Sequence, residues 1–174
     1  MLRAFLPSHF ESLSEIAIDP LTLTHVAITL VGLIAGLVAL AAMIGGRERK
    51  GWIALFLLFT VLTSVTGFFF HHDSITPGQV VGALSLGILG LALYALYGRG
   101  LEGPWRLGFV LAASAALYLN VFVLVVQLFL KVPSLHALAP AGSGPVFGAV
   151  QGVVLLAFAL AAWLAARNFR PSAL

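Results

Sequence analysis

The sequence contains no cysteine and few charged residues. The absence of cysteine from its 174 residues excludes disulfides, thiolate catalysis, iron–sulfur clusters and cysteine-based zinc sites. Lys, Arg, Asp and Glu make up 9% of the chain, whereas soluble domains carry about 25%. With 61% hydrophobic residues and a mean hydropathy of +1.09, the chain cannot cover a water-facing surface. These values predict an integral membrane protein.

Sequence motifs of common enzyme active sites and phosphate-binding loops are also missing. No serine lies in a G-x-S-x-G motif, and the glycines are scattered within apolar runs rather than clustered before a helix as in a phosphate-binding loop. The sequence pI is about 9.8, but the basic residues lie in short loops between apolar runs, so no nucleic-acid partner is expected. Residues 1–20 lack the continuous apolar core of a secretory signal. A non-enzymatic role is therefore favoured over an enzymatic one.

Five apolar runs are long enough to cross a bilayer, which takes about 20 residues per helix. They cover about residues 21–45, 52–70, 78–98, 105–130 and 145–166. The connections between them are short, so sequential helices are expected to be antiparallel neighbours. The predicted fold class is all-α. Residues 21–170 form a bundle of five transmembrane helices, preceded by a separate segment, residues 1–20, and followed by a tail, residues 171–174.

The segment of residues 1–20 has the pattern of a short amphipathic helix. Ser8 and Glu11 match the S-x-x-E capping box, which satisfies free amides at a helix start. Apolar residues follow at helical spacing, and Asp19 precedes Pro20, which disfavours helical backbone at that point. The pattern predicts a helix that lies on the outer membrane interface. A frayed polar tail is the alternative.

The distribution of basic residues predicts the orientation of the bundle. Only Arg3 and Lys131 lie at the end of the bundle that carries the N-terminus. The other seven of the nine Lys and Arg residues lie in the first loop, the third loop and the tail: Arg47, Arg49, Lys50, Arg99, Arg106, Arg167 and Arg170. Because basic residues are enriched on the cytoplasmic side, this predicts an outside N-terminus and a cytoplasmic C-terminus in a bacterial inner membrane.

The 18 glycines supply small-residue faces along the spans. G-x-x-x-G patterns occur at Gly32 and Gly36 on the first span and at Gly78 and Gly82 on the third. Further small-residue faces comprise Gly87, Gly90, Ala112, Ala113 and Ala116. Such faces allow helices to approach closely in lipid. They serve either to pack the bundle or to dock a partner, so the expected partners are the lipid bilayer and a larger membrane complex or a homo-oligomer.

Polar residues concentrate toward the predicted outer face. All five histidines and four of the six carboxylates fall there, while the inner half is almost entirely apolar. A channel or proton relay needs polar groups through the full depth of the membrane. The asymmetry instead predicts a polar pocket open to the outer face, with candidate residues Thr66, Asn120, Gln127, Lys131 and Gln151. The alternative is that the histidines and carboxylates at this face are solvated loop residues.

His25 is the main candidate ligand. It lies about 6 Å inside the apolar boundary of the first span, and an ionisable group at that depth usually faces the bundle. His71 and His72, at the end of the second span, return to the level where the first span begins. Together with Asp73 they suggest an N/N/O set for Zn or Cu. His25 and His71 are also the only candidate axial pair for haem b.

The geometry of a helix limits both cofactor hypotheses. Adjacent helical residues point about 100° apart, so His71 and His72 cannot easily serve one ion, and His25 and His71 differ in depth by roughly 6–8 Å. The alternative is a neutral His25 imidazole hydrogen-bonded to Thr66, Gln151 or a backbone carbonyl.

The fourth span carries a second polar face. Asn120, Gln127 and Lys131 are separated by seven and four residues, which places them on one side of a helix. Amides at such positions form hydrogen bonds between helices, and Gln151 on the fifth span lies at a compatible depth. The same face would orient a ligand if it lined the pocket that contains His25.

Two stretches resemble a group of small bacterial inner-membrane proteins with no established activity. They are "TGFFF" followed by "TPGQVVGALSL", and "ALYLNVFVLVVQLFLKVPSLHALAP", and the resemblance covers about residues 66–169. The resemblance implies a polytopic helical fold and no particular cofactor or catalytic residue. It modestly supports Asn120 and Gln127 as candidate site residues. Such proteins continue "TGFFF" with proline, whereas this chain has His71 and His72.

The sequence as a whole leaves three functional hypotheses. The first is a non-enzymatic accessory or packing subunit of a membrane complex, with an outward-facing polar pocket. The second is a metal- or haem-binding redox or transport protein that uses His25 with His71 or His72. The third is a small-molecule or lipid-binding membrane protein.

Overall fold

The protein is all-helical and has five helices long and apolar enough to cross a membrane. A computed structural model describes residues 19–70, 75–140 and 143–171, and these residues include no strand. The five helices confirm the predicted class. They are α1 (Pro20–Ile44), α2 (Lys50–Thr66), α3 (Pro77–Leu93), α4 (Pro104–Lys131) and α5 (Pro145–Asn168). The predicted N-terminal amphipathic segment, residues 1–20, lies outside the described residues except for Asp19 and Pro20, which begin α1.

Local sequence signals explain where the helices begin. Four of the five have proline in the first turn, where its missing N–H leaves no bond unmade. The Asp19 carboxylate accepts a hydrogen bond from the Thr22 N–H at 3.1 Å, so the Asp19–Pro20 pair starts α1. Thr76 and Gln79 form a reciprocal capping box at the start of α3, with distances of 2.9 and 3.2 Å.

Short irregular segments extend two of the helices. A 3₁₀ turn, Gly67–Phe69, continues α2, and a π-helical turn, Tyr94–Gly98, continues α3. One further helical turn, Pro133–His136, lies in the connection between α4 and α5. With these extensions the second and third spans run over Lys50–Phe69 and Pro77–Gly98.

The five helices pack in a ring in their sequence order. Each helix contacts the next one along the chain, and α5 returns to contact α1. α4 makes additional contacts across the ring with both α1 and α2. Its buried face carries Ala112, Ala113 and Ala116, and these small side chains let the neighbouring helices approach it. The core therefore lies around α4, between it and α1, α2 and α3.

The glycine patterns of α1 and α3 have different outcomes. Gly32 and Gly36 are buried, and a Cβ on Gly36 would lie 2.5 Å from Leu117 Cδ1 and 2.7 Å from Phe56 Cδ2. On α3, only Gly82 approaches another helix, where an added Cβ would lie 3.5 Å from the Ser64 carbonyl oxygen. The remaining α3 glycines are exposed: Gly78, Gly87 and Gly90. The small-residue face of α3 is therefore mostly unpacked.

The bundle has two chemically different ends, which we call the basic end and the histidine end. At the basic end, Asn168 Nδ2 donates to the Ile44 carbonyl at 2.9 Å. Arg106 Nη1 donates to the carbonyls of Ala166 and Phe169 at 2.9 and 2.8 Å. The seven basic residues of the loops and tail belong to this end. The histidine end contains the start of α1, the end of α2 and the connection between α4 and α5.

Candidate functional site: polar side chains near the histidine end

His25 faces the bundle from the second turn of α1. It is half-buried, and its Nδ1 lies 2.8 Å from the Thr66 hydroxyl at the end of α2. The Phe70 ring meets the imidazole edge-on, with 5.2 Å between ring centroids and an angle of 90°. Gly67 lies beside the ring, where an added Cβ would be 3.8 Å from His25 Cε1. The end of α2 thus forms one wall of the histidine site.

The Thr66 hydroxyl determines which imidazole nitrogen is free. Thr66 Oγ1 lies 2.8 Å from the Leu62 carbonyl and 3.2 Å from the Thr63 carbonyl, and a hydroxyl has one proton to donate. When Thr66 donates that proton to the backbone of α2, His25 Nδ1 is the donor to Thr66. Nε2 then keeps its lone pair, and among the described residues it has no hydrogen-bond partner.

A second contact between α1 and α2 lies one turn deeper. Thr29 Oγ1 donates to the His25 carbonyl at 2.7 Å and lies 3.2 Å from Thr63 Oγ1. Either threonine hydroxyl can be the donor in the contact between the two threonines. This pair fixes the rotation of α1 against α2 and thereby places the imidazole.

Asn120 forms a buried contact between α4 and α2. Its Nδ2 donates to Thr60 Oγ1 at 3.2 Å, and the two side chains are 8% and 0% exposed. A buried amide in lipid needs such a partner, because water cannot take its place. The contact uses the polar groups of both residues to join helices.

Gln151 joins α5 to α4 through its amide nitrogen, while its amide oxygen has no hydrogen-bond partner among the described residues. Its Nε2 donates to the Phe122 carbonyl at 3.1 Å, and its Oε1 is buried. Gln151 and Ala165 are the only buried residues of α5. The amide is therefore the main polar attachment of α5 within the membrane-level part of the bundle.

The structure distributes the predicted pocket residues over separate contacts. Thr66 pairs with His25, Asn120 with Thr60, and Gln151 with the backbone of α4, and no hydrogen bond within the described residues links the three. Gln127 and Lys131 share a helical face with Asn120 but are exposed. Their part of α4 is near its end, where that face is no longer covered by α2.

The predicted metal and haem ligands cannot be assembled from the described residues. Residues 19–70, 75–140 and 143–171 contain no group of three His, Asp or Glu side chains placed to hold an ion. His71, His72 and Asp73 lie outside these ranges. The Zn, Cu and haem b hypotheses therefore stay predictions that rest on His25.

No protein-family model, curated protein or solved structure shows a significant similarity to this chain. Its function has to be argued from its own geometry.

Sequence reasoning did not identify several of the polar contacts, among them the Asn120–Thr60 pair and the capping box of α3. Thr60 was not recognised as the partner of Asn120, because the sequence does not show which α2 residue faces α4. The Thr76–Gln79 capping box was readable, since T-P-G-Q has the T-x-x-Q spacing just before an apolar run. The threonines of α2 recur every three residues, at Thr60, Thr63 and Thr66, which was the available signal for a polar face on that helix.

Proposed function

We propose that this protein is a non-enzymatic accessory subunit that docks through α5 onto a helix of another membrane-embedded chain. The observation that carries the proposal is the poor packing of α5 in its own bundle. The rest of this helix is partly or fully exposed, including Val153, Leu156 and Leu160 at 68, 71 and 56%. By comparison, α1 buries eight residues and α4 nine.

The exposed face of α5 contains a close-approach motif that the bundle does not use. Gly148 and Gly152 form G-x-x-x-G, and a Cβ added at either position would meet no atom within 4 Å. The same motif on α1 is buried against α2. In lipid, helices associate through backbone proximity rather than hydrophobic gain, so an open G-x-x-x-G face suits a second helix better than it suits acyl chains.

The polar side chains near the histidine end support a structural role. His25, Thr66, Asn120 and Gln151 all make contacts between helices. Groups committed in this way hold the scaffold together. In this proposal the polar side chains position the helices. The protein lies in the bacterial inner membrane, with its basic end in the cytoplasm.

Replacement of the α5 glycines tests the docking proposal. We expect the gently extracted parent to have the mass of a complex by native mass spectrometry, and Gly148→Leu with Gly152→Leu to release the monomer. Gly87→Leu with Gly90→Leu is the matched control, because these α3 glycines are equally open. The control variant is expected to keep the complex. The mass itself separates a homo-oligomer from a complex with another chain.

Two results would contradict the docking proposal. One is a single homogeneous monomer for the parent protein under gentle extraction. The other is equal loss of the complex in the α5 and α3 variants, which would show that bulk on any exposed face disrupts the assembly. Far-ultraviolet circular dichroism of each variant verifies that the helices remain folded.

A second candidate function rests on the free His25 nitrogen. When Nδ1 donates to Thr66, Nε2 is left as a lone-pair donor that a transition metal or a haem iron would accept. We propose metal or haem binding at His25 as the alternative role. The purified protein is then expected to carry stoichiometric metal or a Soret band, lost in His25→Ala and kept in His136→Ala. A parent protein with neither signal eliminates this candidate.

A further inference from the structure

The connection between α3 and α4, at the basic end, has an unusual backbone. The Arg99 N–H donates to the Tyr94 carbonyl five residues back, at 3.0 Å, which closes the π-helical turn. Gly100, Leu101 and Gly103 then adopt positive φ angles of 57, 61 and 54°. Leu101 is the only described non-glycine residue with a positive φ. The segment 98–103 is therefore a tightly specified turn.

The turn is held in place from inside the bundle. The Leu101 side chain is 4% exposed and belongs to the hydrophobic core. Its N–H donates to the Ala95 carbonyl at 3.0 Å, and the Trp105 N–H donates to the Glu102 carbonyl at 3.1 Å. A leucine is held in the left-handed region only when its surroundings determine the conformation. The position of Arg99 relative to Trp105 is set by these contacts.

Three amphipathic side chains meet at this turn, and we call them the Arg99 cluster. Arg99 Cζ lies 5.5 Å from the centroid of the Trp105 ring, and Tyr94 meets the same ring edge-on at 5.1 Å. The Arg99 guanidinium, the Trp105 indole N–H and the Tyr94 hydroxyl have no hydrogen-bond partner within the described part of the chain. The cluster thus presents several donors without an acceptor.

The neighbouring Arg106 shows that free donors are not general at this end. Its guanidinium is bound to the carbonyls of Ala166 and Phe169 at the end of α5. Arg99, by contrast, is exposed and stacked on an aromatic ring. Arg106 therefore attaches the end of α5 to the bundle, whereas Arg99 faces outward.

The charge around the Arg99 cluster favours an anion. Seven basic residues and two acidic ones, Glu48 and Glu102, lie in the loops and tail at the basic end. Glu102 shares an open concavity of about 310 Å³ with Arg99, and within the described residues the two form no ion pair. Trp and Tyr side chains at a helix end mark the headgroup level of a membrane. The acceptors available at that level are phospholipid phosphates.

The exposed side of α3 continues from this cluster toward the membrane centre. Gly87, Gly90 and Tyr94 are spaced by three and four residues, which places them on one face. A Cβ at either glycine would meet no atom within 4 Å, so this face of α3 is open beneath Tyr94. Gly87 and Gly90 are three residues apart and do not form the G-x-x-x-G motif that α5 presents to a second helix. This face is therefore assigned to an acyl chain whose headgroup lies at Arg99.

We propose that the Arg99 cluster binds the phosphodiester of an anionic phospholipid, with an acyl chain along the Gly87–Gly90 face of α3. Arg99 supplies charge and paired N–H donors, which match phosphate oxygens. Trp105 and Tyr94 hold the guanidinium in place and donate to the same headgroup. The site is independent of the docking proposed for α5, because it uses a different helix face and the opposite end of the span from Gly148 and Gly152.

Fluorescence quenching by brominated phospholipid tests the lipid site. The full chain with Trp52→Phe and Trp163→Phe retains only Trp105 as an indole. It is reconstituted in vesicles of brominated phosphatidylcholine, and unbrominated phosphatidylglycerol or phosphatidylcholine is added as competitor. One charge contact at a membrane surface corresponds to about a fivefold preference. We expect phosphatidylglycerol to relieve quenching about fivefold more effectively than phosphatidylcholine.

Charge-matched variants separate a defined site from a diffuse surface charge. Arg99→Gln is expected to remove the preference for phosphatidylglycerol. Arg170→Gln removes a charge from the same end of the bundle, and Lys131→Gln removes one from the opposite end. Both are expected to keep the preference. Circular dichroism of each reconstituted variant verifies folding.

Three outcomes would overturn the lipid assignment. The first is equal quenching relief by the two lipids in the parent. The second is an equal loss of preference in Arg99→Gln and Arg170→Gln, which would mean that the charge acts diffusely. The third is displacement of phosphatidylglycerol by millimolar inorganic phosphate, which would make the cluster a site for free phosphate.

Discussion

Single glycines in this protein differ by what lies opposite them. Gly36 leaves no room for a methyl group, because Leu117 and Phe56 occupy the space and are themselves buried at 1 and 2% exposure. Gly87 faces open space on α3. Gly36 and Gly87 are the same residue type, but the rotation of each helix about its axis determines whether the glycine is needed for packing.

Replacing Gly36 by alanine is expected to destabilise the bundle. The added Cβ would lie within 3 Å of two core side chains, and overpacking of this kind costs about 1–3 kcal/mol. The free energy of unfolding in mixed micelles measures the effect. Gly87→Ala is the control and is expected to stay within about 1 kcal/mol of the parent, since only helix propensity changes there. Equal effects of the two changes would contradict the packing of α1 against α2 and α4.

At the residue scale, sequence reasoning identifies candidates but not pairs. The G-x-x-x-G spacing is the same on α1, α3 and α5, yet only the α1 motif is buried at both glycines. For His25, three kinds of partner were open, and the rotation of α2 selects Thr66. Such choices depend on the packing of the whole bundle, which no local pattern encodes.

The end of α5 is attached by side chains from other helices. Arg106 donates to two carbonyls at the last turn of α5, where the helix dipole favours a cation. Phe169, just beyond the helix, is 1% exposed and lies 6.3 Å from the Phe109 ring. The helix that packs least within the membrane is thus attached mainly at its ends.

Removal of the Arg106 guanidinium is expected to loosen this attachment. Arg106→Gln loses two charge-assisted hydrogen bonds, each worth about 1.5–3 kcal/mol when made by a charged donor. Amide hydrogen exchange in the last turn of α5 is expected to rise by at least about tenfold, since tenfold corresponds to 1.4 kcal/mol, less than the loss of one such bond. Exchange near His25 is expected to be unchanged. Unaltered exchange at both sites would show that Phe169 alone anchors the segment.

Helix starts were easier to predict than helix continuations. Proline in the first turn of four helices, together with Asp19 and Thr76 as caps, gives these four starts a local cause, whereas the start of α2 has neither signal. The 3₁₀ turn after Thr66 and the π-helical turn before Arg99 have no such signature. The π-helical turn includes buried Ala95 and leads into buried Leu101, so tertiary packing rather than a local signal accompanies it.

At the scale of the molecule, the distribution of charge predicts its orientation. The helices bring the first loop, the third loop and the end of α5 to one end, where seven basic residues lie against two acidic ones. The number of spans and the all-helical class followed from hydropathy alone. The ring order follows from the short connections, whereas the faces that pack inward do not follow from either.

Reporter fusions test the predicted orientation. A fluorescent protein that matures only in the cytosol is expected to be bright when fused after Leu174, because an odd number of spans separates it from the outer N-terminus. The same reporter fused after Val132 in a truncated chain, beyond four spans, is expected to be dark. A phosphatase that is active only outside the cytosol should give the reverse pattern. Bright fluorescence at Val132 and none at Leu174 would invert the assignment.

The contact between α1 and α5 has a consequence for biogenesis. Asn168 reaches Ile44 across 124 positions of sequence, and a ribosome delivers α5 last. If α1 inserts into the bilayer as it is made, the flank that α5 covers stays beside lipid until synthesis is almost complete. Ring closure is then a late event, and chaperones or insertases that shelter an unfinished membrane helix would act on that flank of α1.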